Sequence, residues 1–337
     1  MERAGSAAIG DDVAAHPPFA YRERVADPTL IQRAEILLEA LPYIRRFAGK
    51  TIVVKYGGAA MLDADLKQAF AHDVVLLKFV GMNPVVVHGG GPQIDRMLSD
   101  LQIESKFHRG LRVTDEPTMR VVEMVLAGQI NGEIVSMIHQ AGGRAVGFSG
   151  KDGNLIVARR IAAEGTDGDL GQVGEVVGVN PELVRALEER DFIPVIAPIG
   201  TSAEGESLNI NADTAAGKIA EALEAEKLLL LTDVPGIMDA SGAVIPTLRA
   251  SEAEEMIARG VVTAGMIPKV ECCLQALGGG VRKVHIIDGR VRHAVLLEVF
   301  TDQGVGTEFS RHGGSSHGRP ARPARTAARG AGARSGA

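Results

Sequence analysis

The chain has 337 residues, 45% hydrophobic and 23% charged, which is ample for a large core and excludes wholesale disorder. Aromatics are 4%, with no Trp, which weighs against recognition by base stacking. The net charge is −6, yet residues 311–337 hold six arginines and no acid. The rest is therefore more acidic than the total, which argues against a nucleic-acid partner.

Cys272 and Cys273 are the only cysteines, too few for a disulfide framework. A reducing, cytoplasmic location is expected. No membrane span or secretory signal is expected either.

Residues 1–28 are Ala/Gly/Pro-rich without a period and are expected to be unstructured. Residues 29–48 carry Leu30, Ile31, Ala34, Leu37, Leu38, Leu41 and Ile44 at three- and four-residue steps, an amphipathic helix. Pro42 should kink it or end its first half. Its apolar stripe has no evident partner, which suggests another subunit.

Apolar strands are predicted at 51–55, 84–88, 144–148, 155–158, 192–198, 227–232 and 284–287. Helical patterns are predicted at 65–80, 93–101, 116–126, 129–140, 181–190, 212–225, 251–259 and 266–277. Continuous Val/Ile/Leu runs separated by helices indicate an α/β fold with a parallel sheet covered on both faces. Residues 159–179 break the rhythm with Gly, Asp and short Val pairs, as a hairpin would. After Phe309 the pattern stops, and an unstructured Arg-rich tail is expected over 310–337.

In parallel sheets, ligands bind beyond the carboxyl ends of the strands. Lys55-Tyr56-Gly57-Gly58 follows the first strand, and His88-Gly89-Gly90-Gly91-Pro92 ends the second and enters a helix. Such turns expose backbone N–H groups suited to phosphate or carboxylate. Each alone is equally consistent with plain turn chemistry. The P-loop and the dinucleotide fingerprint are absent.

Lys55 ends a buried strand. Lys269 opens a helix, where the dipole disfavours a cation. Asp213 enters another helix, and Arg112 sits in an apolar, β-branched frame. Taken singly, a solvated lysine, a first-turn acid and a surface arginine are the plainer roles.

Together the segments Val54–Gly58, Val87–Pro92, Gly110-Leu111-Arg112-Val113-Thr114, Asn209-Ile210-Asn211-Ala212-Asp213, Leu231–Ile237 and Gly265-Met266-Ile267-Pro268-Lys269 occur in that order. In this the chain resembles the amino-acid kinase superfamily, and within it the N-acetylglutamate kinase branch, over roughly residues 28–309. The resemblance implies a three-layer αβα sandwich with a mainly parallel sheet and two lobes. Residues 49–224 would bind N-acetyl-L-glutamate, and 225–309 would bind ATP with Mg2+ carried by the nucleotide, with no protein-bound metal.

The implied reaction transfers the γ-phosphoryl of ATP to a side-chain carboxylate. Lys55, Lys269 and Asp213 would be catalytic, with Asp213 holding both lysines. Gly90, Gly91, Arg112 and Asn209 would bind the acceptor; Lys55, Gly57, Gly58, Asp233 and Lys269 the nucleotide. Segments 41–47, 285–290 and 297–307 further resemble the arginine-inhibited branch. That implies a hexamer of interlaced N-terminal helices and an L-arginine pocket drawn from Tyr43, Lys227, His285, Glu298 and Gly304. A sister kinase acting on aspartate, glutamate, carbamate or UMP, and a non-catalytic amino-acid sensor, remain the alternatives. A nicotinamide enzyme is disfavoured by the missing fingerprint.

Overall fold

The computed structural model describes residues 28–161, 169–262, 265–302 and 304–311. The segments 1–27 and 312–337, for which no structure was expected, lie outside them. The chain divides at Leu41/Pro42 into two units, and helix α1 (Pro28–Phe47) runs across the division. Of the two outcomes expected at Pro42, an end to the helix does not occur. An internal proline forfeits one backbone hydrogen bond, and the Leu-, Ala- and Arg-rich flanks are good helix formers. In the first unit, α1 exposes Ile31, Ile36, Leu37, Leu38 and Leu41.

The strands, in chain order, are β1 Thr51–Tyr56, β2 Asn83–His88, β3 Phe107–His108, β4 Leu111–Arg112, β5 Ala145–Ser149, β6 Ile156–Arg160, β7 Val173–Val179, β8 Ile193–Ala197, β9 Ile199–Thr201, β10 Ser207–Ile210, β11 Lys227–Thr232, β12 Thr247–Arg249, β13 Lys283–Asp288 and β14 Gly306–Ser310. The helices after α1 are α2 Ala64–Phe79, α3 Gly91–Asp100, α4 Glu116–Glu123, α5 Asn131–Gln140, α6 Glu182–Glu188, α7 Ala212–Ala222, α8 Ala250–Ala258, α9 Ile267–Gly278 and α10 Ala294–Phe300. A π-helix, Met124–Ile130, joins α4 to α5.

Among the described residues, eight strands form one sheet in the order β12-β14-β13-β11-β1-β2-β8-β5. Its pairings are parallel except β13 with β14. Successive strand residues face opposite ways, and the burial follows. Ile52, Val54, Val86, Val195 and Leu229 pack with α2, α3, α5 and α10. Val53, Val85, Val87, Ile196, Leu228 and Leu230 pack with α6, α7, α8 and α9. The result is a three-layer αβα sandwich.

The predicted excursion over 159–179 is the antiparallel pair β6/β7. It closes with β9 and β10 into a small barrel beside the sheet. No membrane span was expected, yet Glu116–Gln140 is long and apolar enough, by length and composition alone, to cross one. Here Val121, Val122, Val125, Ile130, Ile134 and Ile138 are buried in the core instead. The pattern expected to stop at Phe309 continues one residue further. Ser310 completes β14, and the Arg311 guanidinium donates to the Leu277 and Gly278 carbonyls at the end of α9.

Helix α10 is held by a buried acid. Its cap residue His293 adopts a left-handed conformation, φ 60°, and its Nδ1 donates to Asp73 Oδ1 of α2 at 2.6 Å. Asp73 is 1% exposed. Burial pushes its carboxyl up to about 6, although His293 and the Leu296 and Val295 N–H groups pull the other way. A carboxyl raised in the folded state stabilises fully only below its ordinary value of 3.8, and the benefit is lost as pH rises through about 6.

Asp73→Asn removes that titration. The unfolding free energy of the variant, relative to the parent, should therefore rise by up to about 3 kcal/mol between pH 3.5 and 7.5. Denaturant melts across that range check it, and a pH-independent difference would refute it.

Candidate active site

Three carboxyl-end features meet around one acid. Lys55 lies near the end of β1, at the centre of the sheet, with β2 and β11 on either side. Asp213 stands in the first turn of α7, and Lys269 in the first turn of α9. The Lys55 ammonium lies 3.0 Å from Asp213 Oδ1, and the Lys269 ammonium lies 2.7 Å from Oδ2. The side chains of Lys55 and Asp213 are only 11% and 12% exposed. Burial alone would raise the Asp213 carboxyl, but the charges of Lys55 and Lys269 override it and hold the group at about 2. Asn211 caps α7, its Oδ1 accepting from the Asp213 and Thr214 N–H groups. Cys272, one turn beyond Lys269, donates its thiol to the Asp213 carbonyl. Burial pushes that thiol up to about 12, which makes it a packing group.

The first glycine loop wraps this cluster. A Cβ on Gly57 would sit 2.7 Å from the Lys55 ammonium, so only glycine leaves the lysine its place. Gly58 has φ +69°, and a Cβ there would meet Asp233 Oδ1 at 2.3 Å. Asp233, just beyond β11, accepts from the Ala59 N–H at 2.6 Å. It thus braces the loop as a side-chain cap. Tyr56 stacks on Phe70 beneath and donates its hydroxyl to the Ala60 carbonyl.

The second glycine loop opens α3. Gly89 donates to the Tyr56 carbonyl, which ties it to the first loop. A Cβ on Gly90 would strike Ile130 and Leu126 of the π-helix at 2.3 and 2.6 Å. Buried Arg112 reaches this loop. Its guanidinium donates to Asp95, to Ser105 and to the Gly91 carbonyl, and it covers the Phe107 ring. Among the described residues, that leaves two of its five N–H groups without a partner. The Arg112 hydrogen bond holds the Asp95 carboxyl below its ordinary value. Asn209 Nδ2 donates to Thr114 Oγ1 at 3.1 Å, and Thr114 donates to the Arg112 carbonyl. Gly90, Gly91, Arg112 and Asn209 thus form one connected set, adjoining the lysine pair through Gly89 and Ala212.

A second buried polar cluster lies at the amino end of β11. Lys227 Nζ donates to His285 Nε2 at 3.3 Å, and His285 Nδ1 donates to Glu298 Oε1 at 2.6 Å. Glu298 Oε2 accepts from the Val305 N–H, and Gly304, φ +60°, leaves no room for a Cβ beside that carboxylate. Phe47 lies under the Lys227 ammonium, 5.3 Å to the ring centroid. Tyr43 donates to Asp302 in the adjoining loop. Burial lowers Lys227 to about 8 and also lowers His285; burial and the Asp302 bond raise Tyr43 to about 12.

His88 and Asn211 stand inside the glycine-loop and Asn209–Asp213 motifs without a role of their own there, and Asp95 lies outside every motif. Asn211 had a local signal, an Asn directly before the helix and two residues ahead of its first-turn acid. Asp95 lies 17 residues from Arg112, and no local pattern joins them.

The model of the amino acid kinase family matches residues 50–288. This chain belongs to the amino acid kinase family. It is 59% identical over 289 residues to the acetylglutamate kinase of Geobacter sulfurreducens, covering 84% of this chain and 99% of that one. Among solved structures it is similar to N-acetylglutamate synthase from Neisseria gonorrhoeae complexed with coenzyme A and N-acetyl-glutamate. That match has TM-score 0.74 and 29% identity, over 83% of this chain and 64% of the other. The same synthase complexed with coenzyme A and L-arginine matches at TM-score 0.70 and 29% identity, over 83% and 65%.

The lysine pair makes a stability prediction of its own. Asp213→Asn leaves two nearly buried ammonium groups beside a neutral amide. That should cost at least about 2 kcal/mol in a denaturant melt at pH 7, because a charge stripped of its partner keeps its desolvation penalty. A variant as stable as the parent would show that the lysines do not depend on Asp213.

Proposed function

We infer that this chain is an acetylglutamate kinase, transferring the γ-phosphoryl group of ATP to the side-chain carboxylate of N-acetyl-L-glutamate, a step of arginine biosynthesis. The kinship with acetylglutamate kinases over nearly their whole length supports the activity. One geometric observation carries the mechanism: two lysines from different elements converge on one carboxylate at the sheet's carboxyl edge.

The acceptor carboxylate is already ionised at pH 7 and needs no general base. What the step needs is alignment and neutralisation of charge on the transferring group. Lys55 and Lys269 supply two positive charges in a partly dehydrated site, and Asp213 keeps them in place before substrate arrives. Gly57 and Gly58 offer backbone N–H groups to phosphoryl oxygens, and Gly90 offers its own to the acceptor. Arg112 takes the acceptor's α-carboxylate with its two unspent N–H groups, where a planar fork fits best. Gly91 and Asn209 complete the acceptor site. Residues 49–224 hold the acceptor and 225–309 the nucleotide. Mg2+ enters as part of the substrate, MgATP, and Asp233 serves the nucleotide by bracing the Gly57–Gly58 loop.

The same reading extends to regulation. Lys227, His285, Glu298 and Gly304 gather in one buried cluster, with Tyr43 hydrogen-bonded in the neighbouring loop. Their mixed charge suits the carboxylate, amine and guanidinium of L-arginine, which acts as feedback inhibitor. The exposed stripe of α1 fits subunit contact in a hexamer.

A coupled assay of ADP release, run with acetylglutamate, glutamate, aspartate, carbamate and UMP, tests the reaction. Acetylglutamate should be preferred by at least ~100-fold, and preference for another acceptor would overturn the assignment. Lys55→Ala and Lys269→Ala should each lower kcat by ~10²–10³ with smaller changes in KM. Glu298→Gln should weaken L-arginine inhibition by at least ~10-fold and leave activity without arginine intact. Unchanged potency would remove the cluster from the arginine site.

A further inference from the structure

His88 is the last residue of β2 and directly precedes the second glycine loop, yet the reaction above gives it no task. It is completely buried. Its Nδ1 lies 3.0 Å from the Gly89 carbonyl oxygen. To bond a carbonyl, Nδ1 must carry the proton. Burial holds the ring neutral, with a pKa of about 4, so Nε2 is left as a bare acceptor. That Nε2 has no hydrogen-bond partner among the described residues. A buried orphan acceptor is a cost that an apolar side chain would avoid. The imidazole therefore needs a compensating role, and the one bond it makes lies in the loop.

That bond fixes a peptide plane. The Gly89 C=O and the Gly90 N–H belong to the same trans peptide and point in opposite directions. Gly89 has no side chain to restrict the peptide, so it could turn freely. Anchoring the oxygen to His88 on one side aims the Gly90 N–H to the other. No partner for that N–H is found among the described residues. It stands at the cap of α3, whose second residue is Pro92, so the first turn has already lost one donor. On its far side Gly90 is backed by Leu126 and Ile130 of the π-helix.

We propose that His88 is a positioning residue of the acceptor site: its Nδ1–H clamps the Gly89 carbonyl, which presents the Gly90 N–H to the carboxylate-bearing substrate. This rests on the proposed acceptor site at Gly90, Gly91, Arg112 and Asn209. The clamp acts on the acceptor loop alone, so it should be felt in acetylglutamate binding and not in ATP binding.

The amides of Asn and Gln separate the two ring nitrogens. Asn places its NH2 near the position of Nδ1, and Gln places it near that of Nε2. In full-length enzyme, His88→Asn should keep the KM for acetylglutamate within about 3-fold of the parent. His88→Gln and His88→Leu should raise it at least ~10-fold, with the KM for ATP within about 3-fold throughout. Variants in which Asn does no better than Gln, or in which both substrates suffer equally, would overturn the proposal.

A measurement on the parent protein covers the case in which variants fail to fold. With 15N-labelled histidine at pH 7, the His88 resonances should be those of a ring protonated at Nδ1, and an Nε2–H ring would refute the clamp. If the parent phosphorylates no acetylglutamate, the functional reading itself fails and the clamp falls with it. An active parent with unsplit variants refutes the clamp alone.

Discussion

Two ammonium groups sharing one carboxylate impose the main constraint on this molecule. Lys55 comes from the central strand, Asp213 from α7 and Lys269 from α9. Like charges repel strongly in a partly dehydrated site, and the acid between them offsets that repulsion. Its depressed pKa records the same balance from the acid's side. For the three side chains to meet, β1 must lie mid-sheet and both helices must start at its carboxyl edge. The parallel order β13-β11-β1-β2 and the cap at Asn211 provide this. The close approach of α7 and α9, where Gly217 faces Cys272, brings the two helix starts together.

Around that centre, two glycine loops bring backbone close to the charged side chains. Glycine makes such an approach possible, but it does not hold the chain still. Rigidity comes from neighbours that are mostly buried: Asp233 on the Ala59 N–H, Tyr56 on the Ala60 carbonyl, and Leu126 and Ile130 behind Gly90. Several of these lie far from the loops in sequence. The π-helix belongs to the same scheme, since it sets which side chains back the second loop.

The cluster of Lys227, His285 and Glu298 sits at the other end of β11 from Asp233. One six-residue strand thus runs from the mixed-charge cluster to the brace of the first glycine loop. Close-packed interiors transmit strain, so the two ends of this strand are mechanically linked only through its own packing.

Much of this was legible in the order of residues. Runs such as Ile52–Val54 and Leu228–Leu231 are continuously apolar, so they announce strands buried on both faces, and the helical periods between them point to a parallel α/β sheet. Glycines after Lys55 and His88 marked the candidate site, since the carboxyl ends of strands are fixed by direction alone. Short elements escaped: β3, β4, β9, β12 and the seven-residue α10 hold too few positions to show a period. Pro42 allowed either a kink or an end to the first helix, and the surrounding helix formers carry the helix through it.

The partnerships were a matter for the tertiary structure. Nothing local says that Arg112 bonds Asp95, that Asp233 braces Ala59, that Asp73 holds His293, or that His88 bonds forward to Gly89 and leaves its other nitrogen bare. Periodicity and turn chemistry depend on a few consecutive residues. Which buried polar groups satisfy one another depends on how distant segments pack, and that is decided only when the chain has folded.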